Sequence, residues 1–209
     1  MGSLLFLWKI TGVSKLFENA LIEIFEKVSI EKERLNVSSL GFFVCGGPVD
    51  AANPCPPSFR DRFYSYTAKN YPHIHKSIVL AENFQDYFKE NAYPDLLVFE
   101  DEIANISSQV IIFLESPGSL VELGIFCNKS NFYKKLLIVA PEDKTSGEDS
   151  FIYLGPLENI RKKEPSSVLI YPWPDHKSID YEKEHIIDLC ESLEKKINKA
   201  DKSETFNTR

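Results

Sequence analysis

Gln109-Val-Ile-Ile-Phe-Leu-Glu-Ser-Pro-Gly-Ser-Leu-Val-Glu-Leu-Gly-Ile-Phe126 is the stretch that decides the fold. Val110 to Leu114 is an unbroken apolar run rich in β-branched residues, the pattern of a strand buried on both faces. Glu115-Ser116-Pro117-Gly118 reads as a turn, and Ser119 is expected to open a helix carrying Leu120, Val121, Leu123, Gly124, Ile125 and Phe126. A strand, a Gly turn and a helix N-terminus bring free backbone N–H groups together, and α/β proteins use that unit to hold anionic or ribosyl ligands. Glu122 is the charge in this otherwise apolar helix start. Ser119-x-x-Glu122 spells a capping box, in which the carboxylate only satisfies the Ser119 N–H. Alternatively, Glu122 stands at the floor of a sugar-binding crevice and attacks or stabilises an anomeric carbon.

Outward from this stretch, short apolar runs alternate with helical periodicity. Leu40 to Cys45, Ser77 to Ala81, Lys135 to Ala140 and Ser167 to Tyr171 read as further strands. Helices are expected over Ser14 to Arg34, Phe59 to Asn70, Phe84 to Asn91, Asp95 to Ser107, around Ile160 to Lys163, and over Tyr181 to Lys199. In the Asp95 helix Leu96, Leu97, Phe99, Ile103 and Ile106 should face inward, with Glu100, Asp101 and Glu102 polar and one of them able to reach the crevice. Pro141 to Ser150 reads as a loop, and Lys202 to Arg209 as a polar, frayed tail. The alternation predicts an α/β protein: a three-layer, flavodoxin- or Rossmann-like parallel sheet with helices on both faces. The expected organisation is one domain over residues 1–201, with a helical segment at 14–34, a core at 40–173 and a C-terminal helix at 181–199.

Two loops fall at carboxyl ends of predicted strands, Cys45-Gly46-Gly47-Pro48 and Glu115 to Ser119, and together would wall one crevice. The Gly pair lets backbone approach a ligand closely, but it is not a G-x-G-x-x-G fingerprint. Ser58 is expected to cap the helix that follows. Arg60 and Arg62 sit at its start, where the dipole disfavours cations, so an anion such as a substrate phosphate or a carboxylate in the site would offset them; otherwise they are ordinary solvated arginines. His73 and His75 form an H-x-H pair with no third ligand at usable spacing, so no metal is expected.

Composition narrows the class. The 209 residues carry a net charge of −7, and 43% are hydrophobic. The low pI of about 5.2 argues against a broad basic face for nucleic acid. Cys45, Cys55, Cys127 and Cys190 show no C-x-x-C spacing, which suggests reduced thiols and a cytoplasmic setting. The apolar start, Met1 to Trp8, lacks a basic n-region and a cleavage site, and no run reaches the length of a membrane span.

The polar helix, apolar strand and E-S-P-G-S-x-x-E-L-G turn of Asp95 to Phe126, with V-C-G-G-P before and S-F-I-Y-L-G-P-L after, resemble the nucleoside deoxyribosyltransferase-like superfamily. They resemble more closely the retron-associated effectors of bacterial anti-phage systems. The resemblance covers Leu40 to Trp173. It implies an effector or toxin that breaks the N-glycosidic bond of a nucleotide, nucleoside or NAD-like substrate, needs no cofactor, and is restrained by a retron reverse transcriptase and its RNA–DNA hybrid. The superfamily also builds homo-oligomers. Glu122 maps onto the catalytic glutamate. Glu115, Ser116, Pro117, Gly118 and Ser119 map onto the ribose-holding loop, and Cys45, Gly46, Gly47 and Pro48 onto the loop for ribose or phosphate. The deoxyribosyltransferases carry an aspartate before the key strand and another in the loop after it. Here Gln109 stands before the strand, and Glu115 and Ser116 stand in the loop. The expected enzyme is therefore an N-glycosyl hydrolase, ahead of a deoxyribosyl- or ADP-ribosyl-transferase. The competing reading is a non-catalytic nucleotide-sensing or scaffold module of the same complex.

Overall fold

The computed structural model describes residues 41–80, 82, 95–145, 151–174 and 183–206. The expected helices at 14–34 and 84–91, and the apolar start, lie outside the described residues. Five parallel strands form one sheet: β1 (Phe42–Cys45), β2 (Ile78–Leu80), β3 (Gln109–Phe113), β4 (Leu136–Pro141) and β5 (Val168–Tyr171). Their order is β2-β1-β3-β4-β5, the flavodoxin-like order. β3 lies at the centre, with Val44 opposite Ile111 on one side and Ile112 opposite Ile138 on the other. All five β3 residues are buried, as expected of a strand flanked on both edges and both faces.

Side chains alternate between two cores because the strand period is two. Phe43, Cys45, Val110, Ile112, Leu136 and Ile138 share one core with Ala104, Leu123, Phe126 and Ile160. Phe42, Val44, Ile111, Phe113, Leu137 and Val139 share the other with Phe59, Phe63, Leu189 and Leu193. The first face is therefore covered by α3 (Leu96–Ile106), α4 (Pro117–Phe126) and α6 (Glu158–Lys163). The second is covered by α1 (Phe59–Asn70), α2 (Pro72–Ser77) and α7 (Glu184–Phe206). This is the expected three-layer α/β fold. A short α5 (Glu142–Thr145) follows β4, where a loop was expected.

Two expectations need correction. In α3, Leu96, Leu97 and Ile106 are 49%, 53% and 67% exposed, whereas Phe99, Glu100 and Ala104 are buried. The helix carries more apolar residues than one face can bury, so hydrophobicity alone misassigned the inward stripe. At the other end, α7 continues to Phe206 instead of ending before a frayed tail. Its buried stripe is Ile186, Leu189, Cys190 and Leu193, with Ile197 packed against it, as the helical spacing predicts.

The sheet order places the site. From β1 the chain moves outward to β2 and then returns across β1 to β3. α1, which leaves β1, covers one face, while α4, which leaves β3, covers the other. The carboxyl ends of β1 and β3 therefore flank the switch point where α/β sheets bind ligands.

Candidate active site and relatives

The local chemistry of α4 sets up the site. Ser116, not Ser119, is the N-cap: its hydroxyl accepts from the Ser119 N–H at 3.1 Å, and Pro117 occupies the first helical turn. Ser119 answers by accepting the Ser116 N–H at 3.1 Å. The capping box is thus closed by two serines, and the expected Ser119–Glu122 box is corrected. Pro at the first helical position was the signal that could have placed the cap one turn earlier. Glu122 lies in the second turn, free of any capping duty.

The Glu122 side chain is buried, with 9% of the residue exposed. Its Oε2 has no hydrogen-bond partner among the described residues. The Cys45 thiol, at the end of β1, lies within hydrogen-bonding reach of the carboxylate. Burial, and then the charge of Glu100 on α3, push the Glu122 carboxyl up from 4.5 to about 7; Cys45 and Arg60 pull the other way. Glu100 is buried too, and burial raises its carboxyl. Burial followed by the Glu122 and Glu100 charges lifts the Cys45 thiol well above its usual value. Cys45 is thereby a thiol that donates, not a thiolate that attacks.

Glu115 lives differently. Its Oε1 accepts from the N–H groups of Gly47 at 2.9 Å and Arg60 at 3.0 Å, and its Oε2 from Phe59 at 2.8 Å. The carboxylate fills the nest made by the Gly loop and the N-terminus of α1, the kind of place α/β proteins offer to phosphate. Ser58 caps the same helix end, accepting from Asp61 at 2.9 Å and donating to the Pro48 carbonyl at 2.6 Å. Ser116 donates to the Gly46 carbonyl at 3.2 Å. A Cβ on Gly47 would come within 2.7 Å of the Ser58 Cβ, and one on Gly46, whose φ is +154°, within 2.9 Å of the Phe113 Cβ. The Gly pair is required by close packing and, at Gly46, by backbone conformation.

The two arginines are buried, not solvated. Arg60 sets its guanidinium on Glu82 and on the Val44 carbonyl at 3.2 Å. Gly118 is exposed, and a Cβ there would meet only the Ser116 Oγ, at 3.8 Å. A cavity of about 680 Å³ opens beyond the carboxyl ends of β3, β4 and β5, lined by Glu115, Ser116, Pro117, Leu120, Asp143, Ile152 and Trp173. Leu120 and Glu122 are about 200° apart around the helix, so this cavity lies on the flank of α4 away from Glu122. Sequence reasoning assigned Cys45, the Gly pair, Glu115 and Glu122 to one crevice; the structure sets Glu115 against Gly47 and Glu122 against Cys45. It left Glu100 unselected within an acidic trio, although α3's place just before β3 pointed to that helix.

A family model described as STM3845 retron effector protein matches residues 56–209. The chain belongs to this retron effector family. Two curated relatives from Escherichia coli support the retron association. "Retron Ec86 putative ribosyltransferase/DNA-binding protein" is 35% identical over 128 residues, 61% of this chain and 39% of the relative. "Retron Ec73 putative ribosyltransferase/DNA-binding protein" is 30% identical over 128 residues, 60% of this chain and 39% of the relative. The match spans about two-fifths of the length of these relatives. Their names overturn the N-glycosyl hydrolase expectation for this retron effector: they are named for ribosyl transfer, in which an acceptor other than water takes the sugar. Among the described residues, no helix is long and apolar enough to cross a membrane.

Proposed function

We propose that this retron effector is a ribosyltransferase of the nucleoside deoxyribosyltransferase-like kind, with Glu122 as the catalytic carboxylate. The observation that carries this reading is the buried Oε2 of Glu122 at the β1–β3 switch point, which has no partner among the described residues. A native protein rarely leaves such an atom unsatisfied without a use for it. The donor is a nucleotide, nucleoside or NAD-like molecule. As its glycosidic bond breaks, positive charge grows at the anomeric carbon, and Glu122 meets it at close range in a desolvated pocket. The acceptor then takes the sugar and frees the carboxylate. Glu122 must be ionised to do this, so activity rises with pH through about 7.

Around that chemistry, Glu115, Ser116 and Ser119 hold the β3 loop, and Cys45 to Pro48 form the opposite wall. Gly118 and Pro117 leave the approach to the sugar open. In the retron complex, the reverse transcriptase and its RNA–DNA hybrid restrain the effector until infection.

The test is incubation with labelled nucleosides, nucleotides and NAD, each with and without free bases and DNA as acceptors, followed by chromatography. Wild type should move label to an acceptor and Glu122→Gln should not. Growth arrest on expression alone, relieved by Glu122→Gln, should accompany it. Ligand-induced thermal stabilisation with no transferred label on any acceptor would favour a nucleotide-sensing module instead.

A further inference from the structure

The cavity beyond β3, β4 and β5 takes no part in the transfer chemistry, and its lining has a definite polarity. At about 680 Å³ it has the size of a small-molecule site. Most of its wall is apolar: Leu114, Pro117, Leu120, Pro141, Ile152 and Trp173. The Trp173 ring is held in place by the buried Phe59, edge-to-face, with centroids 4.9 Å apart and planes at 87°. The polar part of the wall is one-sided. Ser116 gives its proton to the Gly46 carbonyl at 3.2 Å, and Thr145 gives its own to the Pro141 carbonyl at 3.0 Å. Glu115 and Asp143 bring carboxylates, and Pro117 and Pro141 have no N–H. Apart from the Trp173 indole, the lining side chains can therefore only accept hydrogen bonds. Among the described residues, no Lys, Arg or His lines the cavity.

We propose that this cavity is a second ligand site, which takes a flat heteroaromatic ring bearing N–H donors and no phosphate, such as a free aminopurine. The ring lies against the apolar wall and Trp173, where an aromatic face is a good partner for any base. Its N–H edge turns to the Asp143 carboxylate and the hydroxyl oxygens, which need donors. A phosphate meets the opposite conditions: two carboxylates repel it, and no cation of the lining receives it. The ring must also displace water from Leu120, an apolar side chain of α4 left 43% exposed at this wall, and that displacement favours binding. Glu122 stands on the other flank of α4, about 200° around the helix from Leu120. The site is therefore separate from the sugar chemistry and does not rest on the transfer reading.

The experiment is calorimetric titration of the full chain with adenine, adenosine and AMP, in wild type, Leu120→Trp, Asp143→Lys and Glu122→Gln. Wild type should bind adenine and adenosine, and AMP about tenfold more weakly than adenosine, from which it differs by the phosphate alone. Leu120→Trp fills the cavity and should weaken adenine by about tenfold or more, whereas Glu122→Gln should stay within about twofold of wild type. Asp143→Lys replaces a carboxylate by a cation and should close the gap between adenosine and AMP. A wild type that binds no adenine overturns the site, and so does AMP binding as tightly as adenosine. Adenine binding that survives Leu120→Trp but is lost in Glu122→Gln places the ring in the crevice and also overturns it. If Leu120→Trp does not melt cooperatively, Asp143→Lys, at an exposed position, decides: an unchanged ratio of adenosine to AMP overturns the site. None of these readings needs turnover, so failure of the transfer reading leaves them intact.

Discussion

Glu115 and Glu122 stand seven residues apart, at the end of one strand and in the helix that follows, and their circumstances are opposite. Glu115 is half-buried, with both oxygens accepting backbone N–H groups from two other segments. Glu122 is buried, and one of its oxygens accepts nothing from the described residues. A carboxylate met by three backbone donors serves the structure. One stripped of water with no equal compensation stays reactive. Two identical side chains on one short segment therefore differ in duty: the first ties two loops together, and the second is left for the chemistry proposed above.

That division can be broken most severely at Glu122. Replacing it with Gln preserves volume and should reduce ribosyl transfer by about a thousandfold, with no loss in the thermal melt. Glu115→Ala should do the reverse. Losing three charge-assisted contacts and orphaning three N–H groups should lower stability by about 2–4 kcal/mol in urea denaturation. If Glu115→Ala were silent in denaturation, the contrast would collapse.

The pH dependence sharpens the same contrast. The folded protein binds the Glu122 proton more tightly than the unfolded chain, because the carboxyl rises from 4.5 to about 7. Stability should therefore fall as pH climbs through that window, and the penalty is complete above it. Glu122→Gln removes the penalty. The variant should be more stable than wild type at pH 8 by on the order of 2 kcal/mol and little different at pH 4. Calorimetry at the two pH values checks this.

Smaller effects come from the wall itself. Gly47→Ala must push a Cβ against Ser58 and Glu115, and should cost about 1–3 kcal/mol. Ser116→Ala removes the cap of α4 and should cost about 1 kcal/mol. Because Glu122 takes no part in that cap, transfer by Ser116→Ala should fall far less than by Glu122→Gln.

Much of this was written locally. The β-branched run of Val110 to Phe113 suited a buried strand, and Ser58 before a helical stretch suited a cap. The pairing of the Gly loop with the β3 loop followed from strand alternation. What was not legible depended on distance or on competition between equals. Ser116 and Ser119 are the same residue type three apart, and only Pro117 separates the two registers. Glu115 finds its donors far along the chain, so no window around it shows what it does. α3 carries more apolar residues than one face can bury, and its buried glutamate appears only in the fold. Whether Arg60 met an anion or solvent stayed open because its partner, Glu82, lies 22 positions away.

The clasp between the two loops has a consequence for motion. Glu115 and Ser116 tie β3 to Gly47, Gly46 and the start of α1 across 55 to 70 positions of chain. Such a contact has no local half-way state: it opens only when the ends of β1 and β3 part. The amide protons of Gly47, Phe59 and Arg60 should therefore exchange with solvent deuterium as slowly as those of the central strands, although they sit in a loop and at a helix start. A crevice wall that exchanges like a core does not breathe.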